Sequence, residues 1–183
     1  ESVQSNQANP VGTVYLGVPS AYSVALVPPL LHRMRTLYPN ISVHIVEAFS
    51  GTVYEWLING RLDLAILYYS KEHSAAVMSP FIEEDMVALG TTEMLENKLE
   101  IPIANLAQQK LITAWRPHMH RLTLDAAFVA ADVPFEPRIE IDSLPCMIEL
   151  AHRGEGIAIL PPSCVARELA DGRLKGADLR PNI

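Results

Sequence analysis

Two kinds of apolar pattern alternate along the first part of the chain. Short β-rich runs occupy residues 14–18, 41–46 and 62–67. Between them lie a helical stripe at 26–37 and a shorter helical pattern at 53–60. Ser50-Gly51-Thr52, with Glu55 three residues after Thr52, has the spacing of a capping box for the second helix. The order strand, helix, strand, helix, strand predicts a parallel βαβαβ unit.

A second alternating series follows from residue 84. The pattern predicts strands at 84–90, 111–115, 137–141 and 156–160, and helices at 91–99, 121–131, 144–153 and 163–170. The tail after Pro161 is too short to form a third domain, so we expect it to return to the first lobe. The expected organisation is a disordered linker remnant at 1–11, lobe I at 12–80 and 161–183, and lobe II at 81–160.

Charge and cysteine content narrow the class of protein. The chain has 14 Lys and Arg against 21 Asp and Glu, which gives a formal net charge of −7. Nucleic-acid-binding modules normally carry a basic face, so we do not expect this segment to bind DNA by itself. Its two cysteines, Cys146 and Cys164, lack C-x-x-C spacing, which excludes a disulfide scaffold and favours reduced structural thiols in a cytosolic protein. No apolar run reaches the roughly 18 residues that span a bilayer.

Catalytic and metal-binding patterns are weak. The sequence has no nucleophile elbow, zinc-protease helix or phosphate-binding loop. His118 and His120 could bind a metal, but no third ligand lies nearby, and a basic loop that opens a helix also explains them. Cys146 and His152 are six residues apart and do not share a helix face. We therefore expect no enzyme activity, no metal and no cofactor.

Binding chemistry is better represented, because several predicted helices begin with hydroxyl residues directly after strands. Carboxyl ends of parallel strands and amino ends of the following helices form ligand crevices that favour small anions. Helix capping alone would also explain these hydroxyl groups. Aromatic and basic residues at the strand ends could add apolar walls and positive charge. The candidate residues are Ser20, Ser50, Thr52, Ser143, Tyr68, Trp115, Arg116 and His118.

Several of these segments together resemble a known family, the effector-binding domain of LysR-type transcriptional regulators. The resemblance is carried by GTVYLGVPS at 12–20, LL at 30–31, YP at 38–39, EAFSG at 47–51, LINGRLDLAI at 57–66 and GEGIAILP at 154–161. It covers the chain from Gly12 onward. The wording of residues 50–68 is similar to the nitrogen-assimilation-control branch of the family.

The resemblance implies an α/β fold with two Rossmann-like lobes joined by two crossover segments, as in type 2 periplasmic binding proteins. A small-molecule effector would bind in the cleft between the lobes. Asp142 is placed close to these contacts by the same resemblance. Carried over by position, the effector contacts are Ser20, Ser50, Gly51, Thr52, Tyr68, Thr113, Trp115, Arg116, His118 and Ser143.

The resemblance also implies partners and location. Family members bind DNA through an N-terminal winged helix-turn-helix; no such pattern precedes Gly12, so we expect DNA contact to lie outside these residues. Family domains pair side by side through helices that correspond to 24–37 and 122–131 here, as dimers and, with the whole protein, tetramers. We expect an anionic effector, a cytoplasmic location and no membrane contact. An extracytoplasmic solute receptor of the same fold is the alternative, and an enzyme is a third class.

Overall fold

The chain folds into two compact units, Glu1–Ser79 and Pro80–Ile183. The computed structural model describes residues 9–68 and 76–183. Most of the linker expected at 1–11, and residues 69–75 of lobe I, therefore lie outside the described residues. Within those residues, no helix combines the length and apolar character that a bilayer crossing requires.

Unit 1 contains the predicted βαβαβ arrangement. Its elements are β1 (Gly12–Val18), α1 (Ser20–Leu37), β2 (Ile41–Glu47), α2 (Ser50–Ile58) and β3 (Leu64–Ala65). The strand order is β2-β1-β3, and both pairings are parallel. The strand expected over 62–67 is shorter than predicted, since only two residues pair with β1 at the edge of the sheet.

Gly17 sets how closely α2 approaches this sheet. A Cβ atom at Gly17 would lie 2.4 Å from Val53 Cγ1 and 2.7 Å from Leu62 Cδ1. Val53 is fully buried and Leu62 is nearly so, which leaves neither side chain room to move away. The absence of a side chain at Gly17 is therefore what allows α2 to pack beside β1.

We expect Gly17→Ala to destabilise unit 1 by about 1–3 kcal/mol, the usual effect of overpacking a core. The measurement is urea unfolding followed by the fluorescence of Trp56, on α2, in a Trp115→Phe background. Adding Val53→Ala should recover part of the loss, because the closest clash is with that side chain. Strictly additive effects of the two changes would contradict this account.

Unit 2 is a six-stranded mixed sheet with helices on both faces. Its strand order is β5-β9-β4-β8-β6-β7, with β4 antiparallel to β8 and β9 and the other neighbours parallel. The elements are β4 (Val87–Gly90), β5 (Glu100–Pro102), α3 (Ile103–Leu106), β6 (Leu111–Thr113), α4 (Met119–Ala130), β7 (Ile139–Glu140), α5 (Leu144–His152), β8 (Ile157–Leu160), a 3-10 helix (Pro162–Val165), α6 (Ala166–Ala170) and β9 (Lys175–Arg180).

Two hydrophobic clusters cover the two faces of this sheet. Ile159 belongs to the cluster that contains Phe128 of α4, and its neighbour Leu160 belongs to the cluster that contains Met147 of α5. This alternation is expected of a strand that is covered on both sides. Packing on both faces fixes the positions of the carboxyl ends of β6 and β8. It also fixes the starts of α4 and α5.

The assignment of 161–183 to lobe I is wrong, and so is the expected second crossover segment, because all of Pro80–Ile183 belongs to unit 2 and the chain passes between the units once. β9 lies between β4 and β5 in the sheet of unit 2, and Ala177 and Leu179 are each 1% exposed in its core. The sequence of β9, KGADLR, has only two apolar side chains, those of Ala177 and Leu179, and three of its other four residues are charged. Its alternation was too weak to predict a strand, although it buries one face in the way that a period of two allows.

Other boundaries in unit 2 also differ from the prediction. Residues 92–97 form turns instead of a helix, and Glu96 and Asn97 have φ angles of 51° and 57°. Backbone in the left-handed region cannot continue an α-helix. β5 and α3 were not predicted, and the helix expected over 163–170 is divided into the 3-10 helix and α6.

Candidate functional site

The site residues predicted in unit 1 lie where α1 and α2 begin. Ser20 is the first residue of α1 and Ser50 the first of α2, at the carboxyl ends of the neighbouring strands β1 and β2. Neither preceding residue, Pro19 or Phe49, supplies a side-chain cap, and neither helix has an acidic residue in its first turn. The amide groups and positive dipole ends of both helices are therefore not neutralised by a local carboxylate.

Ser50 links the start of α2 to the segment that follows β3. Its side chain is buried, and its Oγ accepts a hydrogen bond of 3.2 Å from the backbone N–H of Tyr68. The ring of Tyr68 lies 5.8 Å from that of Tyr22 on α1, measured between centroids. The structure thus brings together Ser50 and Tyr68, two of the candidate residues, and places Tyr22 beside them, a residue that no sequence motif singled out.

The predicted capping box at the start of α2 is wrong. The helix begins at Ser50 and its N-cap is Phe49, so Thr52 lies inside the helix and not at the capping position. Thr52 is half-buried, while Gly51 is exposed and a Cβ there would meet nothing within 4 Å. The Ser50 hydroxyl accepts a hydrogen bond from Tyr68, and Thr52 lies inside α2. Helix capping therefore does not explain the hydroxyl group of either residue.

Thr113, the last residue of β6, carries a fully buried hydroxyl. This oxygen has no hydrogen-bond partner among the residues that the structure describes. The backbone of Thr113 is paired normally, since its carbonyl accepts a 2.9 Å bond from the N–H of Ile141. A buried polar atom without a partner carries a free-energy cost and therefore requires an explanation, of which a functional role is one.

Asp142 holds together two of the predicted residues at the edge of unit 2. Its Oδ1 accepts a 2.8 Å hydrogen bond from the backbone N–H of Trp115 and lies 3.1 Å from Nε2 of His118. The β6–α4 loop is therefore tied to the residues that follow β7. Ser143 caps α5, as predicted, by accepting a 3.4 Å bond from the N–H of Cys146.

Arg116 belongs to a network of charged residues that the sequence did not predict. Its Nε lies 2.8 Å from Oδ2 of Asp125, and Oδ1 of Asp125 lies 2.9 Å from Nε of Arg121. Arg121 also bonds to Glu140 and places its guanidinium 4.9 Å from the centroid of Phe135. The hydrogen bond from Arg116 lowers the pKa of the Asp125 carboxyl, so this group is charged at neutral pH.

The two histidines considered as metal ligands make other contacts. His118 pairs with Asp142, and Nε2 of His120 lies 2.6 Å from the carbonyl of Ile159. Burial lowers the pKa of His120, which favours its neutral form. In residues 9–68 and 76–183, no three His, Cys, Asp or Glu side chains are grouped to hold a metal ion.

The two cysteines differ in environment, which predicts different reactivity. Cys146 is exposed, whereas the Sγ of Cys164 donates to the carbonyl of Pro161 and burial raises the pKa of its thiol to about 12. At pH 8 we expect Cys164 to react with iodoacetamide on the order of a thousandfold more slowly in the folded chain than in urea. Mass spectrometry of the alkylated peptides measures both rates, and a Cys164 rate unchanged by urea would contradict the prediction.

Comparison with known proteins identifies the family. A model described as "LysR substrate binding domain" matches residues 7–183. The chain belongs to the LysR substrate-binding domain family. This domain belongs to a regulatory, non-enzymatic family, which agrees with the absence of a predicted catalytic group.

The curated relatives of this LysR domain are transcriptional regulators. The HTH-type transcriptional regulator BbuR of Bordetella bronchiseptica is 27% identical over 175 residues, which cover 95% of this chain and 54% of BbuR. The regulator TtuA of Agrobacterium vitis is 29% identical over 88% of this chain and 54% of its own length. The chain thus spans about half the length of these relatives.

The predicted branch is one of several relatives at comparable distance. The nitrogen assimilation regulatory protein nac of Escherichia coli is 27% identical over 86% of this chain and 51% of its own length. BbuR and TtuA are equally similar, so the LysR family is confirmed without specific support for the nitrogen-assimilation branch.

Solved structures confirm the expected fold class. The effector binding domain of QuiR in complex with shikimate aligns with a TM-score of 0.82 at 19% identity, over 92% of this chain and 81% of that domain. The CcmR regulatory domain of Synechocystis in complex with 2-PG aligns with a TM-score of 0.80 at 23% identity, over 92% and 81% of the two chains. The α/β fold is that of LysR effector-binding domains, similar to type 2 periplasmic binding proteins.

Proposed function

We propose that this LysR domain is the effector-sensing and oligomerisation module of a cytoplasmic bacterial transcription regulator, and that it binds a small anionic effector. DNA would be contacted through a helix-turn-helix segment of the whole regulator. Binding would favour one of two states of the protein and so change its geometry on DNA. The complexes of the QuiR domain with shikimate and of the CcmR domain with 2-PG support a small oxygen-rich ligand.

The proposed ligand class is supported mainly by the lack of acidic residues at the amino ends of four helices. α1, α2, α4 and α5 have no acidic residue in their first turns, and each follows the carboxyl end of a strand in its own unit. Arg116 and His118 lie before α4, where they are paired with Asp125 and Asp142 and so add no net positive charge. The amide groups and helix dipoles of this arrangement favour a negatively charged ligand.

The direct test is a binding screen by thermal shift and calorimetry. The panel contains carboxylates, including shikimate and benzoate, phosphorylated acids, and neutral sugars of similar size. We expect acidic compounds to raise the melting temperature in proportion to RT ln(1 + [L]/Kd), with neutral sugars inactive. A panel in which no compound binds would remove the sensor function.

Thr113→Val separates a binding role from a structural one. The hydroxyl has no partner among the described residues, so its removal should leave the free energy of unfolding unchanged or slightly raised. If the effector bonds to this oxygen, affinity for the best compound of the panel should fall by about 1–3 kcal/mol. Thr36→Val, at an exposed hydroxyl near the end of α1, is the matched control and should leave affinity unchanged. Loss of stability without loss of affinity would make Thr113 structural.

Two exposed apolar stripes support the proposed oligomerisation. On α1, Val24 and Leu31 are 82% and 37% exposed; on α4, Leu122 and Val129 are 41% and 78% exposed. Seven residues separate the members of each pair, which places them on one face of their helix. Burial of both stripes against a second copy would remove this apolar surface from water.

Light scattering after size exclusion tests the oligomer. We expect a dimer for the unchanged chain and a monomer for Val129→Glu, because a buried unpaired carboxylate opposes association. Arg33→Glu, on the opposite side of α1 from Leu31, is the control for added charge and should remain dimeric. A monomer for the unchanged chain at high concentration would remove this part of the proposal.

A further inference from the structure

Arg116 is held in a way that leaves its binding edge open. Only its Nε bonds to Asp125, while its side chain is 62% exposed. Nη1 and Nη2 have no hydrogen-bond partner in the part of the chain that the structure describes. These two nitrogens form the planar fork that binds a carboxylate or phosphate through two parallel hydrogen bonds.

A second arginine fixes the position of Asp125. Its second oxygen bonds to Arg121, whose side chain is 5% exposed. Arg121 is in turn fixed by Glu140 of β7 and by the ring of Phe135. The support for Arg116 therefore reaches into the core of unit 2, in contrast to an ordinary exposed ion pair that solvent can rearrange.

The charges in this network show what Asp125 contributes. Arg116 and Arg121 are balanced by Asp125 and Glu140, so the network adds no net positive charge for an anion. Coulomb's law alone predicts that removal of the Asp125 charge would strengthen anion binding at Arg116. A contribution of Asp125 to binding must therefore come from orientation, because it restricts the rotamers of a long side chain before the ligand arrives.

We propose that Asp125 is a positioning residue that presents the Nη fork of Arg116 to the carboxylate or phosphate group of the effector. This inference rests on the proposed sensor function and assigns to its ligand an oxyanion bound through two hydrogen bonds. Trp115, whose N–H is fixed by Asp142, precedes Arg116, and the twelve-residue helix α4 begins three residues after it. The oxyanion would thus meet the guanidinium beside Asp125, in the second turn of α4.

The test is an NMR titration of the chain with sodium benzoate and, separately, with inorganic phosphate. The guanidinium signals of Arg116 are assigned from their loss in Arg116→Lys. We expect one of the two anions to shift these signals, and the pair of titrations distinguishes a carboxylate from a phosphate ligand. In Asp125→Asn the dissociation constant should rise roughly two- to twelvefold, the effect of ordering one long side chain on binding.

Two further variants, together with Arg116→Lys, make the result specific. Asp125→Glu should recover part of the affinity, because it restores a carboxylate on the same helix face. Arg116→Lys should lose affinity to a similar degree even though it keeps the charge. Glu149→Ala removes one exposed carboxylate that pairs with Arg153, without touching Arg116, and should leave binding unchanged.

The inference is overturned by unchanged or tighter binding in Asp125→Asn, or by anions that bind without shifting the Arg116 signals. It is also overturned if neither anion binds. If neither anion binds but a neutral compound stabilises the chain in the thermal-shift screen, the proposed sensor function is retained. If no compound binds in that screen, the sensor function and the role of Asp125 are both overturned. Circular dichroism of each variant verifies that the fold is retained, and Arg116→Lys tests the fork independently if Asp125→Asn does not fold.

Discussion

Replacing Arg121 with alanine is expected to lower the free energy of unfolding of unit 2 by about 3–5 kcal/mol, the effect of breaking a buried ion pair from one side. The Arg121 residue is 4% exposed and bonds to both Asp125 and Glu140. Without it, two carboxylates would face each other in a partly buried position with little compensation. The change also removes the contact between the guanidinium and Phe135.

Urea unfolding measures this loss, with Trp115 as the reporter of unit 2 in a Trp56→Phe background. The matched control is Arg153→Ala, which breaks a pair with Glu149 in which the arginine side chain is 67% exposed. An exposed pair of this kind contributes about 0–1 kcal/mol. If Arg121→Ala were no more damaging than Arg153→Ala, the network would be a surface feature and the support assigned to Arg116 would fail with it.

Phe128→Ala is expected to have an effect of similar size, about 3–5 kcal/mol, for a different reason. Phe128, a residue of α4, is fully buried. Its ring stacks on that of Phe135, with the ring centroids 4.3 Å apart. Removing the ring leaves a cavity that the surrounding aliphatic side chains, fixed in the sheet, can fill only in part. The loss should therefore include both the transfer free energy of the ring and the cavity term.

Another apolar residue of unit 2 provides the control for this substitution. Leu99, directly before β5, is 81% exposed, so Leu99→Ala should change the free energy of unfolding by no more than about 0.5 kcal/mol. The same Trp115 fluorescence measurement serves both variants. A loss below 1 kcal/mol for Phe128→Ala would mean that α4 does not depend on this core cluster.

The predicted fold was most accurate where the hydrophobic pattern was long. Unit 1 matches its predicted order of elements because strands and helices there have clear periods and turn residues between them. The LysR resemblance rested on the same segments and was confirmed by the family match over residues 7–183. In unit 2 the short, charged strand β9 escaped prediction, since its six residues show too little alternation of apolar and polar side chains.

The candidate site was predictable in residue type but not in contacts. Trp115, Arg116 and His118 stand together in the sequence, so their placement in one loop follows from adjacency. Their partners do not: Asp142 is 27 residues from Trp115, and Asp125 is nine residues from Arg116 on another element. No local pattern identifies a carboxylate that approaches only when two elements pack.

The sequence by itself determined which segments become strands and helices in unit 1, which helix starts lack an acidic first turn, and the family to which the chain belongs. These depend on local periodicity and on residues close together in the chain. The tertiary structure alone decided that β9 completes the sheet of unit 2, that Ser50 bonds to Tyr68, and that Asp125 holds Arg116. Such contacts form between groups that the folded core brings together, and their free energy is available only after distant elements have packed.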